Sequence, residues 1–119
     1  MQPGSTCGLL GVLAATLLGA GCAGTPAKAP PPATSAVRDS IAALALEMVG
    51  VPYRYGGADP HEGFDCSGLV YYTYTKNDQA VPRTSRSQFD AARKIALEQA
   101  KEGDLLFFSD QEKLSHVAI

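Results

Sequence analysis

Between Ala23 and Val37 the chain reads Ala-Gly-Thr-Pro-Ala-Lys-Ala-Pro-Pro-Pro-Ala-Thr-Ser-Ala-Val, with four prolines and no large apolar side chain. Proline has no N–H to give a helix or a sheet, so this stretch cannot contribute to a packed core and favours an extended conformation. At roughly 3.1 Å per residue it spans about 45 Å, the behaviour of a stiff spacer. It divides the chain into three, and only residues 38–119 hold enough apolar material for a domain. With 119 residues in all, one small domain with appendages is expected.

Before the spacer, Leu9, Leu10, Val12, Leu13, Ala14, Ala15, Leu17 and Leu18 form an apolar run that ends in Gly19-Ala20-Gly21. It is shorter than the about 20 apolar residues that a membrane-spanning helix needs, and it reads as the apolar core of an export signal. A cysteine follows directly, Cys22. Small residues and then cysteine resemble the bacterial lipoprotein signal, which implies lipidation at Cys22 and a membrane reached through that lipid anchor. Gly19 stands where such signals usually carry leucine, and no Lys or Arg precedes the apolar run.

The formal net charge is -2. That gives no basic face for nucleic acid and no polybasic patch for a membrane surface. The three cysteines are at positions 7, 22 and 66. Two lie in the leader, which leaves little for a disulfide framework. Once Cys22 carries lipid, Cys66 is the one thiol of the mature chain, and catalysis is a reason for it to stay free.

Within 38–119, Ile41, Leu44, Ala45, Met48 and Val49 recur with the spacing of an amphipathic helix, which Gly50 and Pro52 end. Gly56-Gly57 through Gly63 is a loop by composition. Asp65 is a good N-cap for a second helix from Cys66 to Lys76. Ser85-Arg86-Ser87-Gln88 reads as a capping box opening a third helix, with Phe89 and Ala92 facing inward. Asp104 to Phe108 reads as a buried strand, and a further strand starts at His116. Helices first and strands afterwards predict an α+β domain with a segregated sheet. Val117-Ala118-Ile119 stops in mid-strand, and an apolar unpaired edge is one that natural proteins avoid. The sequence is therefore read as a fragment.

The informative segment is Phe64-Asp65-Cys66-Ser67-Gly68-Leu69-Val70. It places a cysteine on the first turn of a helix, where the positive end of the dipole stabilises the nucleophilic thiolate. The unpaired N–H groups of that turn are potential oxyanion donors. A buried structural cysteine fits the segment equally well. His116, at the head of an apolar strand, makes a workable base for a nucleophile distant in sequence, although a lone histidine at a strand end is more often structural.

Five blocks in order carry a more specific signal: Val51-Pro52-Tyr53-Arg54-Tyr55-Gly56-Gly57, the Cys66 segment, Pro82-Arg83-Thr84-Ser85, Gly103-Asp104-Leu105-Leu106-Phe107-Phe108, and Ser115-His116-Val117-Ala118-Ile119. Together they resemble the NlpC-type (p-sixty) cell-wall endopeptidases. The resemblance implies a papain-like fold, with helices packed on an antiparallel sheet. It also implies hydrolysis of peptidoglycan stem peptides, typically between γ-D-glutamate and a diamino acid, by a monomer in the cell envelope. It makes Cys66 the nucleophile and His116 the general base. It places Tyr53 in the active site, and Asp65, Ser67 and Arg83 at the substrate's polar groups. Asp65 also reads as a plain helix cap, Arg83 as a structural ion pair, Tyr55 as packing and His61 as a solvated loop residue. Two histidines build no usual zinc site, and neither metal nor other cofactor is expected. The family's third polar residue, which orients the base, falls beyond Ile119. The 119-residue chain by itself is accordingly expected neither to fold robustly nor to hydrolyse wall peptides. The competing readings are a wall-binding module without catalysis, a purely structural lipoprotein, and an amidase or acyltransferase on the same fold.

Overall fold

The computed structural model describes residues 32–119. The leader, Cys22 and the spacer up to residue 31 lie outside the described residues.

Helix α1 spans Ser35–Glu47. It begins three residues before Arg38, the expected start of the domain, because Thr34 supplies a cap: its hydroxyl oxygen accepts from the Val37 N–H at 3.4 Å. Of the expected stripe, Ile41 is fully buried, and Leu44, Ala45 and Met48 are half-buried. Val49 is a correction, since it is 79% exposed. The helix ends at Glu47 and the chain turns through Gly50 at φ 93°, so Val49 has left the helical register.

The segment expected to be a loop contains a small hairpin. Strand β1 (Ala58–Asp59) pairs antiparallel with β2 (Gly63–Phe64), and Tyr53 bridges to Phe64 from the other side. The Asp59 carboxylate accepts from the His61 N–H at 2.8 Å and closes the turn. Gly63 supplies a φ of 112°, and a β-carbon there would lie 2.6 Å from the Pro52 carbonyl oxygen. Only glycine meets both demands.

Helix α2 (Cys66–Thr75) follows directly, N-capped by Asp65 as expected and C-capped by Lys76. Its Ser67, Gly68, Val70 and Thr73 are buried. Helix α3 (Ser85–Ala91) is capped one residue earlier than expected, by Thr84, whose hydroxyl accepts from the Ser87 N–H at 3.3 Å. The expected capping box is therefore not made, and Gln88 turns into the core instead. Phe89 does face inward, edge-on to Phe107 with ring centroids 5.3 Å apart, and Ala92 is half-buried.

A single 3₁₀ turn at Leu97–Gln99 precedes the second hairpin, strands β3 (Leu106–Asp110) and β4 (Lys113–Ala118). Gln111 and Glu112 turn the chain with both φ values positive, 46° and 64°, the geometry that matches the strands' right-handed twist. The expectation of a buried strand at 104–108 is corrected. Leu106 and Phe108 are 39% and 49% exposed, because side chains alternate across the ribbon and only one face packs on helices. Phe107 and its direct partner Val117 point to the covered face, and Val117 is buried. The last strand also starts earlier than expected, at Lys113 rather than His116.

Helix α2 packs on α1, α3 and β4, and α3 also packs on β4. Ile41, Phe64, Val70 and Val117 form the apolar core, with Thr73 and Gln88 buried among them. The architecture is α+β, with helices laid on one face of an antiparallel ribbon and the Asp65–Cys66 junction between the two hairpins. Among the described residues, no helix is long and apolar enough to cross a membrane.

Candidate active site

The site is organised by one carboxylate. Asp65 Oδ1 accepts from the Gly68 N–H at 2.6 Å, the expected cap. Asp65 also does more than cap. Its Oδ2 accepts from the Gly56 N–H at 2.9 Å, and both oxygens meet the Arg83 guanidinium, at 3.0 and 3.2 Å. Burial pushes the Asp65 carboxyl up, but the Arg83 guanidinium and the Gly68 and Gly56 N–H groups outweigh it, so it stays below the usual aspartate range. A charge-assisted pair with this fork geometry gives direction as well as energy.

The same Arg83 donates to the Ser67 hydroxyl oxygen at 3.1 Å and to the Gly57 carbonyl at 3.1 Å. Ser67 in turn donates to Asp65 at 3.2 Å. Arg83 thus ties the segment before α3 to Gly57, just ahead of β1, and to the first turn of α2. The backbones are close here: a β-carbon on Gly68 would fall inside the van der Waals shell of the Gly57 carbonyl.

Cys66, the first residue of α2, is half-buried and its thiol is free. His116 lies on β4, opposite Phe108 in register, with the two rings 5.9 Å apart. The elements that carry the two residues, α2 and β4, pack against each other, but the His116 side chain is exposed on the same ribbon face as Phe108, the face opposite that of buried Val117. Among the described residues no hydrogen bond joins Cys66 to His116. Tyr53 is 72% exposed and bridges the residue before Asp65. Tyr55, expected to pack, is 90% exposed, because its neighbours Gly56 and Gly57, not its ring, make the close contacts with Asp65 and Arg83. His61 is a loop residue on the surface.

The structure also supplies two partners that sequence reasoning missed. The Gly57 carbonyl is an Arg83 acceptor, and a backbone group leaves no mark in a sequence. Gln88 is 1% exposed, and its amide donates to the Ser67 carbonyl at 3.1 Å and the Pro82 carbonyl at 2.8 Å. Its place three residues after Ser85 matched a capping box and concealed this role. The one available signal was that a glutamine immediately before inward-facing Phe89 shares part of the buried face of α3.

Residues 50–119 match the model of the NlpC/P60 family. The chain is 39% identical over 84 residues to a bifunctional muramidase/DL-endopeptidase of Bacillus subtilis, which covers 68% of this chain and 26% of that protein. It is 40% identical over 94 residues to a gamma-DL-glutamyl hydrolase of the same organism, covering 74% and 22%. It is 42% identical over 80 residues to a murein DD-endopeptidase of Escherichia coli, covering 62% and 29%. The chain thus spans only about a quarter of the length of these relatives. Among solved structures, a lipoprotein-like NLP/P60 family protein of Staphylococcus aureus superposes with a TM-score of 0.68 at 38% identity, covering 76% of this chain and 32% of that one. The NlpC/p60 domain of the peptidoglycan hydrolase SagA gives 0.61 at 40% identity, covering 68% and 69%.

Proposed function

This chain belongs to the NlpC/P60 family, and from that premise we propose that its gene product is a cysteine endopeptidase of peptidoglycan stem peptides. The supporting observation is a free, half-buried thiol on the first turn of α2, a helix that packs against the strand carrying His116. Cys66 is the nucleophile and His116 the general base. The thiolate adds to the scissile carbonyl, and the first-turn N–H groups of α2 other than that of Gly68, which Asp65 takes, are the donors offered to the oxyanion. His116 protonates the leaving amine as the C–N bond breaks, leaving a thioester on Cys66. Water, deprotonated by His116, then releases the acid and restores the thiol.

The bond is that between γ-D-glutamate and a diamino acid. The DL-endopeptidase and gamma-DL-glutamyl hydrolase among the relatives support this choice. Tyr53, Asp65, Ser67 and Arg83 form the wall that meets the substrate's polar groups. Because Arg83 is already bonded to Asp65, Ser67 and Gly57, its first duty is to hold that wall in shape. The part of the domain present here begins with α1 at Ser35 rather than at the expected Arg38, and the domain works as a monomer in the cell envelope. Residues 1–22 export it, lipid on Cys22 holds it to a membrane, and the spacer from residue 23 up to the Thr34 cap of α1 gives it reach into the wall. The lipoprotein-like relative supports the anchor.

The test is digestion of purified peptidoglycan by the full-length gene product, read by mass spectrometry, beside its Cys66→Ala variant. Fragments carrying a new free amine on the diamino acid, absent with the variant, are expected. A folded parent that releases nothing would overturn the peptidase reading, and free D-lactyl ends would make the enzyme an amidase. Labelling cells with a radioactive fatty acid, with Cys22→Ser as control, tests the anchor.

A further inference from the structure

The active-site turn is held from two sides, and the second side is an amide buried in the core. Gln88 projects from α3 between two backbone carbonyls, that of Ser67 in the first turn of α2 and that of Pro82 just ahead of Arg83. Its orientation is dictated by chemistry. Two carbonyl acceptors at 3.1 and 2.8 Å require the NH₂ end, since an amide turned the other way would set oxygen against oxygen. Both amide hydrogens are thereby used, and among the described residues Oε1 is left buried without a partner. An orphaned buried acceptor carries a real cost, which the fold tolerates to keep both donors aimed at these two carbonyls.

We propose that Gln88 is a positioning residue for the Cys66 nucleophile. It acts through the Ser67 carbonyl on the turn that bears Cys66, and through the Pro82 carbonyl on the placement of Arg83. Arg83 must reach Asp65, Ser67 and Gly57 together, and it follows Pro82 directly, so its origin is set by what holds Pro82. One side chain thus registers the α3 segment against the nucleophile's helix. Misplacement of about 1 Å at a reacting centre costs up to about 10²-fold in rate. The role in hydrolysis rests on the peptidase reading above, whereas the effect on the thiol does not.

The experiment uses the full-length gene product and two variants, Gln88→Met and Gln88→Glu. Each is assayed for stem-peptide hydrolysis and, separately, for the pH dependence of Cys66 alkylation by iodoacetamide. Gln88→Met keeps the volume and removes both donors. Its kcat should fall at least about tenfold with a smaller change in KM, and its alkylation rate should drop in parallel. Gln88→Glu places an acceptor against two carbonyls and regains a single donor only when protonated. Its alkylation rate relative to the parent should therefore climb as the pH is lowered, which a loss of packing alone does not produce. If Gln88→Met does not fold, the Gln88→Glu profile decides. Parental alkylation and kcat in a folded Gln88→Met chain, or a pH-independent Gln88→Glu ratio, would overturn the proposal. Failure of the parent to hydrolyse any stem peptide sinks the peptidase reading, while the alkylation profiles still decide the role of Gln88.

Discussion

Asp65 shows how one side chain serves fold and site together, and its electrostatics can be checked. Its side chain is 13% exposed and that of Arg83 34%, so the pair lies between a surface bridge and a buried one. Removing Arg83 as Arg83→Met leaves a mostly buried carboxylate without its cation, at a cost of about 1–3 kcal/mol by comparison with those two classes. The pH dependence has a definite sign. Because the folded carboxyl lies below its ordinary value of 3.8, the unfolded chain binds more protons in that range. The pair's stability is thus present above about that value and lost as the pH falls through the lower folded value. Thermal melts should show the parent well above Arg83→Met at pH 7, with the gap narrowing in acid. A gap independent of pH would mean that Arg83 acts by packing alone. Gly68 has a different constraint, because any β-carbon meets the Gly57 carbonyl. Gly68→Ala should push α2 off the Gly57 backbone ahead of β1, lowering stability and, on the proposed function, stem-peptide hydrolysis together.

At the scale of elements, α1 separates what periodicity tells from what it does not. Ile41 is fully buried and Val49 is 79% exposed, although both belong to the same apolar stripe. Ile41→Ala should cost about 2–5 kcal/mol, as for a fully buried aliphatic side chain, whereas Val49→Ala should change stability by less than about 0.5 kcal/mol. Urea denaturation measures both. Helix positions were legible in the sequence because caps and apolar spacing are local, as the Asp65 cap and the Cys66 start of α2 illustrate. The elements misread are those decided at a distance. The 58–64 hairpin depends on a close approach of Gly63 to Pro52, and the exposure of Phe108 depends on which face of β3 meets a helix. The candidate site was legible for the same reason in part. Cys66, Asp65 and Ser67 lie on one local motif, and Arg83 and His116 on separate blocks whose order carried the resemblance. The Gly57 carbonyl and Gln88 were not legible, because a backbone acceptor and a glutamine within a capping pattern give no signal of their tertiary partners.

Over the whole molecule, the piece that joins the N-terminal helix to the sheet is a second polar cluster on the far end of α2. Arg38 of α1 meets Asp104 at 2.7 Å, and the Tyr74 hydroxyl of α2 donates to the Gly103 carbonyl at 2.6 Å. Gly103 packs against the Arg38 backbone at a φ of 77°, so α1, α2 and the approach to β3 converge there. Burial pushes the Asp104 carboxyl up, yet the Arg38 guanidinium and the Lys101 N–H hold it below its ordinary value. With Asp65 it makes two carboxylates whose protonation removes stability in acid. Tyr74 acts at the other limit. Burial, with the Asp104 charge added, raises its phenol from 10.0 to about 12, so above pH 10 the folded state holds a proton that the unfolded chain releases. Its contribution is complete below the unfolded value and is lost as the pH rises toward the folded one. The domain should therefore show a plateau of stability bounded by the two aspartates below and by Tyr74 above. Tyr74→Phe separates the two limits. It should cost about 1 kcal/mol at pH 7, the worth of one hydrogen bond, while flattening the alkaline fall and leaving the acid fall unchanged. Melting temperature against pH, for parent and variant, reads both effects. An alkaline fall undiminished in Tyr74→Phe would place its origin elsewhere and detach Tyr74 from the junction of α1 with the sheet.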